Sequence, residues 1–169
     1  LVVAVPVGTP DSVGGTVALH GYYGRDGVGS GFAPSISTTG AGDCTIDVGR
    51  QLDDRTVEVL ELSDQIMLIC ELDIPTVRNT VCFTSLMERL KIDRDKTHLV
   101  INRYHKKSRL SFDDVETLVG RKVFWSIPND FLPMSVGIDR GVPAVNDAPK
   151  SKVAKSYLDL ADRIHAQRA

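Results

Sequence analysis

The hydrophobic positions after residue 44 alternate between short apolar runs and longer stretches with helical spacing. Residues 65–72 form a largely apolar run, and its short length favours a buried strand over a helix. Residues 75–90 have apolar positions about one helical turn apart, and Pro75 suits the first turn because it loses no hydrogen bond there. The pattern also predicts strands at 2–7, 44–47, 98–102 and 122–126, and helices at 54–62, 111–118, 130–139 and 151–167.

Two of the predicted helices carry an apolar stripe that should pack against a sheet. A third helix begins at Ser111, whose hydroxyl is suited to capping a helix amide, and ends at Gly120, because glycine readily adopts the left-handed conformation of a helix end. The two stripes consist of Val77, Val81, Leu86 and Leu90 in the first helix, and of Val153, Tyr157, Leu160 and Ile164 in the second.

Short strands that alternate with helices are typical of a parallel sheet with helices on both faces, so we predict an α/β fold of this class. Ligands of such sheets bind outside the carboxyl ends of the strands. We therefore expect any functional site to lie in the polar segments that follow the strands. These segments are residues 47–55, 73–78, 102–107 and 128–130.

Composition changes this picture little. The chain has 169 residues, of which 42% are hydrophobic and 25% charged, and these are ordinary values for one globular domain. A net charge of -2 gives no general reason to expect binding to nucleic acid or anionic lipid. No apolar run reaches the roughly 18 residues that a membrane span needs. Residues 1–7 lack the basic start of a signal peptide, so we expect none.

The cysteines and glycines indicate how the chain is organised. Cys44, Cys70 and Cys82 have no metal-binding spacing, and two of them lie in apolar runs, so we expect buried thiols in a reducing compartment. Ten of the 14 glycines lie between Gly8 and Gly42. We therefore predict a loop-rich segment over residues 1–43 and regular α/β structure over residues 44–169.

Five stretches of sequence occur in an order that is similar to one protein family. They are DVGRQLDDRT at 47–56, LDIPTVRN at 72–79, VINRYHKK at 100–107, IPND at 127–130, and GVP at 141–143 followed by APKSK at 148–152. The chain resembles the CpaE/TadZ branch of the ParA/MinD family of P-loop ATPases over residues 45–164, about seven-tenths of its length.

This resemblance implies a single ParA/MinD-like domain over residues 1–169 that binds ATP and Mg²⁺. It implies that Asp47 orients a metal-bound water, as a carboxylate at a strand end of this architecture can. It also implies that Asn102 reads adenine, because an amide offers both a donor and an acceptor. Neighbouring Arg103 belongs to the same site, and the other side of the base pocket consists of Pro128, Asn129 and Asp130.

The amino-terminal segment departs from the family pattern. Gly14, Gly15 and Thr16 resemble the end of its deviant P-loop, with Thr16 as a second Mg²⁺ ligand, but the first lysine of the chain is Lys91. A P-loop needs a lysine to hold the phosphates, so we expect weak or absent ATP hydrolysis.

The interval between residues 19 and 45 is also shorter than in the family. Either part of a nucleotide domain has been lost, or residues are missing from the sequence in this interval. We favour missing residues, since a parallel sheet without those crossovers would expose large apolar faces.

Three functions are consistent with these features. The resemblance implies an ATP-dependent homodimer that localises or assembles Flp or type IVb pilus machinery, in the cytoplasm at the cell pole or on the inner membrane, with pilus-assembly or secretion proteins as partners. The alternatives are a catalytically inactive scaffold on the same fold and a partition-type DNA-binding ATPase. The DNA-binding alternative would use the basic residues 103–109, although Asp113, Asp114 and Glu116 follow closely and weaken their field.

Overall fold

A computed structural model describes residues 2–5, 35–38, 44–49 and 54–166 of the chain. Strands and helices alternate over most of these ranges, which confirms the predicted α/β class. The strands are β1 (Val2–Val5), β2 (Ser35–Thr38), β3 (Cys44–Gly49), β4 (Gln65–Cys70), β5 (Thr97–Tyr104) and β6 (Val123–Pro128). The helices are α1 (Asp54–Leu62), α2 (Ile74–Arg89), α3 (Phe112–Val119), α4 (Phe131–Arg140), α5 (Ala144–Asp147) and α6 (Lys152–Ala166).

The chain divides into two compact units. The first comprises Leu1–Ile69 and Phe83–His98, and the second comprises Cys70–Cys82 and Leu99–Ala169. The strand order is β2-β3-β1-β4 in the first unit, and β5 lies beside β6 in the second.

In the first unit, β1 is antiparallel to both of its neighbours. Val3 lies opposite Asp47 of β3 and opposite Met67 of β4. Strands β3 and β4 therefore run in the same direction, as predicted, whereas the prediction that the strand at residues 2–7 joins them in parallel is wrong. An antiparallel strand needs no helical crossover, so this pairing is compatible with the helix-poor sequence before β3. β2 was not predicted, and it is antiparallel to β3.

The core of the first unit includes the buried face of α1 and the length of β4. Leu60 of α1 and Ile66 of β4 are fully buried, and Met67 and Leu68 are nearly so. The amide of Ile66 donates to the carbonyl of Lys96 at 2.7 Å. Almost every position of β4 is buried, as expected for a strand covered on both faces.

Helix α2 buries a different set of residues from the predicted stripe. Val77 is buried as predicted, but Val81, Leu86 and Leu90 are only half-buried. The buried positions also include two threonines, and Thr80 satisfies its hydroxyl by donating to the carbonyl of Thr76 at 2.9 Å. This hydrogen bond within the helix offsets the free-energy cost of burying the hydroxyl. The spacing of apolar residues in the sequence does not indicate that a threonine can be buried in this way. The full buried set is Val77, Thr80, Thr84 and Met87.

In the second unit, β5 and β6 are parallel, as predicted. Leu99 lies opposite Val123, and Tyr104 lies opposite Pro128. The central residues of β5 form the core together with the inner face of α3 and the end of β6. The buried residues are Leu99, Val100 and Ile101 of β5, Val115 and Val119 of α3, and Ile127 of β6.

The predicted boundaries of α3 are confirmed by its end structures. The amide of Asp114 donates to the Ser111 hydroxyl, and the Asp114 carboxylate accepts from the Ser111 amide, which completes a capping box. Gly120 ends the helix with φ +70°, and its amide donates to the carbonyl of Glu116. Local signals of this kind operate within a few residues, so sequence alone located both ends.

Helix α6 packs on β6 largely as predicted. Val153 and Leu160 are buried, while Tyr157 and Ile164 are half-buried. Burial raises the pKa of the Tyr157 hydroxyl.

Polar contacts add to this packing. The indole of Trp125 donates to the Ser156 hydroxyl at 3.0 Å, and the Arg163 guanidinium lies 4.5 Å from the Phe124 ring centre. None of the described helices is long and apolar enough to cross a membrane.

Candidate functional site

The predicted site residues fall into three groups. The residues Asn102, Arg103, Pro128, Asn129 and Asp130 lie in the second unit, at the ends of β5 and β6. Asp47 lies in the first unit. The P-loop candidates Gly14, Gly15 and Thr16 lie outside the described residues, so their roles stay predictions.

The carboxyl ends of β5 and β6 are joined side by side. Tyr104 lies opposite Pro128, and the Asn129 amide donates to the Tyr104 carbonyl at 2.8 Å. This hydrogen bond links the segment after β6 directly to the end of β5. Asn102 lies in β5, two residues before Tyr104, and is half-buried. We call residues 102–104 and 128–130 together the strand-end edge.

Arg103 adopts an uncommon backbone conformation in this edge. Its φ is +50°, and the ladder between β5 and β6 changes register between Ile101 and Tyr104. A non-glycine residue in the left-handed region costs about 1–2 kcal/mol, so neighbouring contacts must hold it there. Local strain of this kind is concentrated at functional sites, which makes this turn a candidate on structural grounds.

Three contacts surround the Arg103 turn. The Arg103 Nε lies 3.6 Å from Glu71 Oε1, but both side chains are well exposed, at 70% and 40%. An exposed ion pair contributes about 0–1 kcal/mol, which is too little to offset the backbone cost by itself. The Asn129–Tyr104 hydrogen bond and the Tyr104–Phe112 ring contact, with centroids 4.9 Å apart, supply further support. Sequence reasoning missed Glu71, because the predicted strand at 65–72 included it, whereas β4 ends at Cys70.

Asp130 precedes α4 but does not cap it. Its φ and ψ are -122° and 78°, and its side chain makes no capping hydrogen bond. An aspartate at this position usually accepts from a helix amide, so this carboxylate has acceptor capacity for a ligand hydroxyl. The next two residues, Phe131 and Leu132, are both exposed.

The polar segment at 73–78 has a structural use. Asp73 caps α2, since its carboxylate accepts from the Thr76 amide and from the Thr76 hydroxyl, both at 2.8 Å. Just before it, the buried Cys70 thiol donates to the Glu71 carbonyl at 3.3 Å. Burial raises the pKa of this thiol, so it is a weak nucleophile. The expectation of buried thiols holds for Cys70 and is wrong for Cys82, which is exposed on α2.

Asp47 is not at the end of its strand. β3 continues to Gly49, and Asp47 pairs with Val3 on one side and with Ser35 on the other. It is half-buried. The prediction that the strand ends at residue 47 is therefore wrong by two residues, because Val48 and Gly49 also join the strand. The predicted role of Asp47 with Mg²⁺ stays a prediction.

No three described His, Cys, Asp or Glu side chains are grouped so that they could hold a metal ion. Magnesium at phosphate sites commonly uses only one or two carboxylates together with phosphate oxygens and water. A single carboxylate such as Asp47 therefore has the right donor chemistry for Mg²⁺, and the predicted hydroxyl of Thr16 is also an oxygen donor.

The basic segment after β5 is exposed. His105, Lys106, Lys107 and Arg109 all lie at the surface. A local turn shapes the segment, because the Ser108 amide donates to the His105 carbonyl and the Lys107 amide donates to His105 Nδ1.

A shallow depression beside α3 lies apart from the strand-end edge in sequence. It is lined by Asp113, Glu116, Thr117, Gly120, Arg121 and Lys122. Lys122 donates to one carboxylate oxygen of Glu116, and the Val123 amide donates to the other at 2.8 Å. These bonds lower the pKa of Glu116. The Glu116 carboxylate thus connects α3 to the start of β6, so it has a structural role.

No protein-family model and no curated protein sequence matches this chain. Solved structures do match it. A ParA family ATPase from Chlorobium tepidum TLS is 25% identical with a TM-score of 0.62, and the match covers 66% of this chain and 46% of that one.

Two MinD structures also match. The cell division ATPase MinD from Pyrococcus furiosus is 22% identical with a TM-score of 0.57, and the match covers 69% of this chain and 48% of that one. MinD in a MinC:MinD complex from Aquifex aeolicus is 15% identical with a TM-score of 0.58, and the match covers 68% of this chain and 48% of that one. The chain thus spans less than half the length of these neighbours, and it has the fold of the ParA/MinD P-loop ATPases.

Proposed function

We propose that this chain is the nucleotide-binding part of a ParA/MinD-like protein that binds ATP with the strand-end edge facing the base. The observation that carries the proposal is the hydrogen bond from the Asn129 amide to the Tyr104 carbonyl, which joins the ends of β5 and β6. It places the Asn102 segment beside Pro128–Asp130 at the carboxyl ends of parallel strands, where sheets of this type bind ligands.

The residues present suit an adenine nucleotide. The Asn102 amide can accept from the exocyclic amino group of adenine and donate to a ring nitrogen, and it cannot make the same pair of bonds to guanine. A good bidentate pair of this kind discriminates against the wrong base by about 1–3 kcal/mol. The Asp130 carboxylate, which makes no capping bond, is suited to accept from a ribose hydroxyl.

We expect hydrolysis to be weak. Phosphoryl transfer depends on positive charge and metal placed against the developing phosphate charge. Mg²⁺, when bound, would supply part of that charge, with Asp47 and Thr16 as its protein ligands. The sequence has no lysine before Lys91, so the usual P-loop cation is absent from it.

The biological role that we propose is positioning or assembly of Flp or type IVb pilus machinery by a nucleotide-dependent homodimer. Support comes from the five sequence segments that resemble the CpaE/TadZ branch, and from the solved ParA and MinD neighbours. One of those neighbours is a complex of MinD with MinC, so a protein of this fold is seen bound to a protein partner. Pilus-assembly or secretion proteins are the partners that we expect.

Titration calorimetry with ATP and GTP tests the nucleotide proposal. We expect ATP to bind more tightly than GTP, and Asn102→Ala to reduce this preference by about 5- to 150-fold, as the loss of a bidentate pair implies. Asn146→Ala is the control, because Asn146 is an exposed asparagine of α5 that lies outside the strand-end edge. Equal binding of ATP and GTP to the wild-type chain would contradict the base assignment. Absence of ATP binding would favour a scaffold.

One observation favours a second function, DNA binding, since His105, Lys106, Lys107 and Arg109 are exposed in one segment. Contacts with phosphates release counterions, so such binding falls steeply as salt rises. A gel-shift series from about 50 to about 200 mM salt is the test, because phosphate contacts lose most of their affinity over roughly this range. We expect no salt-dependent shift of the DNA band. A salt-dependent shift that the double variant Lys106→Ala/Lys107→Ala abolishes would support DNA binding.

A further inference from the structure

The start of α4 carries two large apolar side chains that the described part of the protein leaves uncovered. Phe131 is 75% exposed and Leu132 is 71% exposed. A phenylalanine side chain gains favourable free energy when its large apolar surface is buried. At 75% exposure most of that gain is not realised in the described structure. Contiguous exposed apolar patches commonly mark binding sites.

Phe131 is attached directly to the strand-end edge. It follows Asp130, and the Asn129 amide is held to the Tyr104 carbonyl at 2.8 Å. The backbone that carries Phe131 is therefore tied, two residues earlier, to the strand that carries Asn102. This connection distinguishes Phe131 and its neighbour Leu132 from the other exposed apolar residues of the second unit, and of these two only Phe131 is aromatic.

We propose that Phe131 is a base-stacking residue of the nucleotide site, an inference that rests on the proposed function. Asn102 and Phe131 would divide the recognition of the base between them. An amide reads the hydrogen-bonding edge of a base, in the plane of its ring. An aromatic side chain contacts the face of the base and does so for any base, because every base has a π-face.

Ile138 offers an internal comparison on the same helix. It is 76% exposed, as much as Phe131, but it lies two helical turns away, about 10 Å along the axis. A general protein-docking role of the α4 surface would involve both residues. A role in base stacking would involve Phe131 and leave Ile138 without effect.

The test is calorimetric titration of the wild-type chain, Phe131→Ala, Phe131→Trp, Ile138→Ala and Asn102→Ala with ATP, GTP and inorganic tripolyphosphate. We expect Phe131→Ala to weaken ATP and GTP by a similar factor, roughly 5- to 150-fold, and to leave tripolyphosphate unchanged. Phe131→Trp should retain binding, and Ile138→Ala should match the wild type. Thermal unfolding of each variant checks that the fold is intact.

Several outcomes would overturn the inference. Unchanged ATP affinity in Phe131→Ala, together with a lost ATP preference in Asn102→Ala, would remove Phe131 and keep the proposed function. Altered sedimentation in both Phe131→Ala and Ile138→Ala, with unchanged ATP affinity, would make the α4 surface a protein interface instead. Weakened tripolyphosphate binding in Phe131→Ala would show a general effect on the site. Absence of ATP binding by the wild-type chain would remove both the inference and the proposed function.

Discussion

The two units differ in how their strands pair. β5 and β6 are parallel and are separated by one helix, α3, whose two ends are both determined by local capping residues. β1 lies between β3 and β4 and is antiparallel to both. Its partners are far along the chain, and no local signal near β1 specifies them. Strand pairing that depends on nearby residues can be predicted from a sequence. Pairing between distant segments is much harder to predict.

The same contrast applies to the candidate site. The strand-end edge is built from residues 102–104 and 128–130, which a single parallel pair brings together. Asp47 belongs instead to a strand with two antiparallel partners. The residues proposed to contact the base therefore have a defined local structure within the second unit. The roles of Asp47, Gly14, Gly15 and Thr16 stay predictions, and residues 14–16 lie outside the described ranges.

The largest expected effect tests whether both units depend on their cores to the same degree. Ile66 of the first unit and Ile101 of the second are both fully buried. We expect Ile66→Ala and Ile101→Ala each to lower the free energy of unfolding by about 2–5 kcal/mol, because each leaves a cavity. Urea unfolding followed by circular dichroism measures this. A loss below about 1 kcal/mol for Ile66→Ala alone would show that the first unit is loosely packed.

A smaller loss is expected from Gly137→Ala in α4. A Cβ added at this buried glycine would meet the Val142 carbonyl oxygen at 2.7 Å, and the Val142 amide donates to the Gly137 carbonyl at 2.9 Å. The backbone after α4 would have to shift, so we expect a loss of about 1–3 kcal/mol. Gly141→Ala is a contrasting variant. No atom would lie within 4 Å of the added Cβ, so any loss of stability would arise from the strained φ of +65°. Wild-type stability in Gly137→Ala would contradict the close packing of α4 against the segment after it.

The capping box of α3 predicts a loss that depends on pH. Ser111→Ala should cost about 1 kcal/mol near neutral pH, because the Asp114 amide loses its acceptor. Hydrogen bonds from the side chain and amide of Ser111 lower the pKa of the Asp114 carboxyl. A carboxyl with a lowered folded-state pKa contributes stability above its unfolded pKa, and this contribution is lost as the pH falls through the folded pKa. We therefore expect the stabilities of wild type and Ser111→Ala to converge in part below about pH 4, while the loss of the acceptor for the Asp114 amide persists at every pH.

Thermal unfolding from neutral pH down to acid measures that convergence. Ser108→Ala is a suitable control, since its hydroxyl donates to the His105 carbonyl and no carboxylate is involved. A difference between wild type and Ser111→Ala that stays constant with pH would exclude the link to Asp114.

The smallest effect should be a gain in the first unit. Lys91 ends α2 with φ +58°, and the Ile92 amide donates to the Met87 carbonyl while the Lys91 amide donates to the Glu88 carbonyl. This is the Schellman arrangement, in which glycine is preferred at the left-handed position. Lys91→Gly should raise the free energy of unfolding by about 0.5–1 kcal/mol, measured in urea. A loss of stability would show that the lysine side chain contributes a contact that outweighs the backbone gain.

The sequence predicted most of the second unit and less of the first. Ser111 and Gly120 located α3, because capping acts over a few residues. The buried stripe of α2 was predicted incorrectly because the Thr80 hydroxyl donates to a carbonyl of its own helix and can therefore be buried. A search for apolar spacing does not include such a threonine. β2 was missed because Ser35–Thr38 is polar and is a strand only through its pairing with β3. The left-handed backbone of Arg103 lies at a register shift between two strands, and the sequence of one segment does not reveal such a shift.

A crystal structure of the chain with bound ATP tests the central claim most directly. We expect the adenine amino group to lie at hydrogen-bonding distance, about 3 Å, from the Asn102 side-chain oxygen. We also expect the base to lie beside the Pro128–Asp130 segment. Adenine bound more than about two residue lengths, roughly 7 Å, from Asn102 would contradict the assignment of this edge to the base.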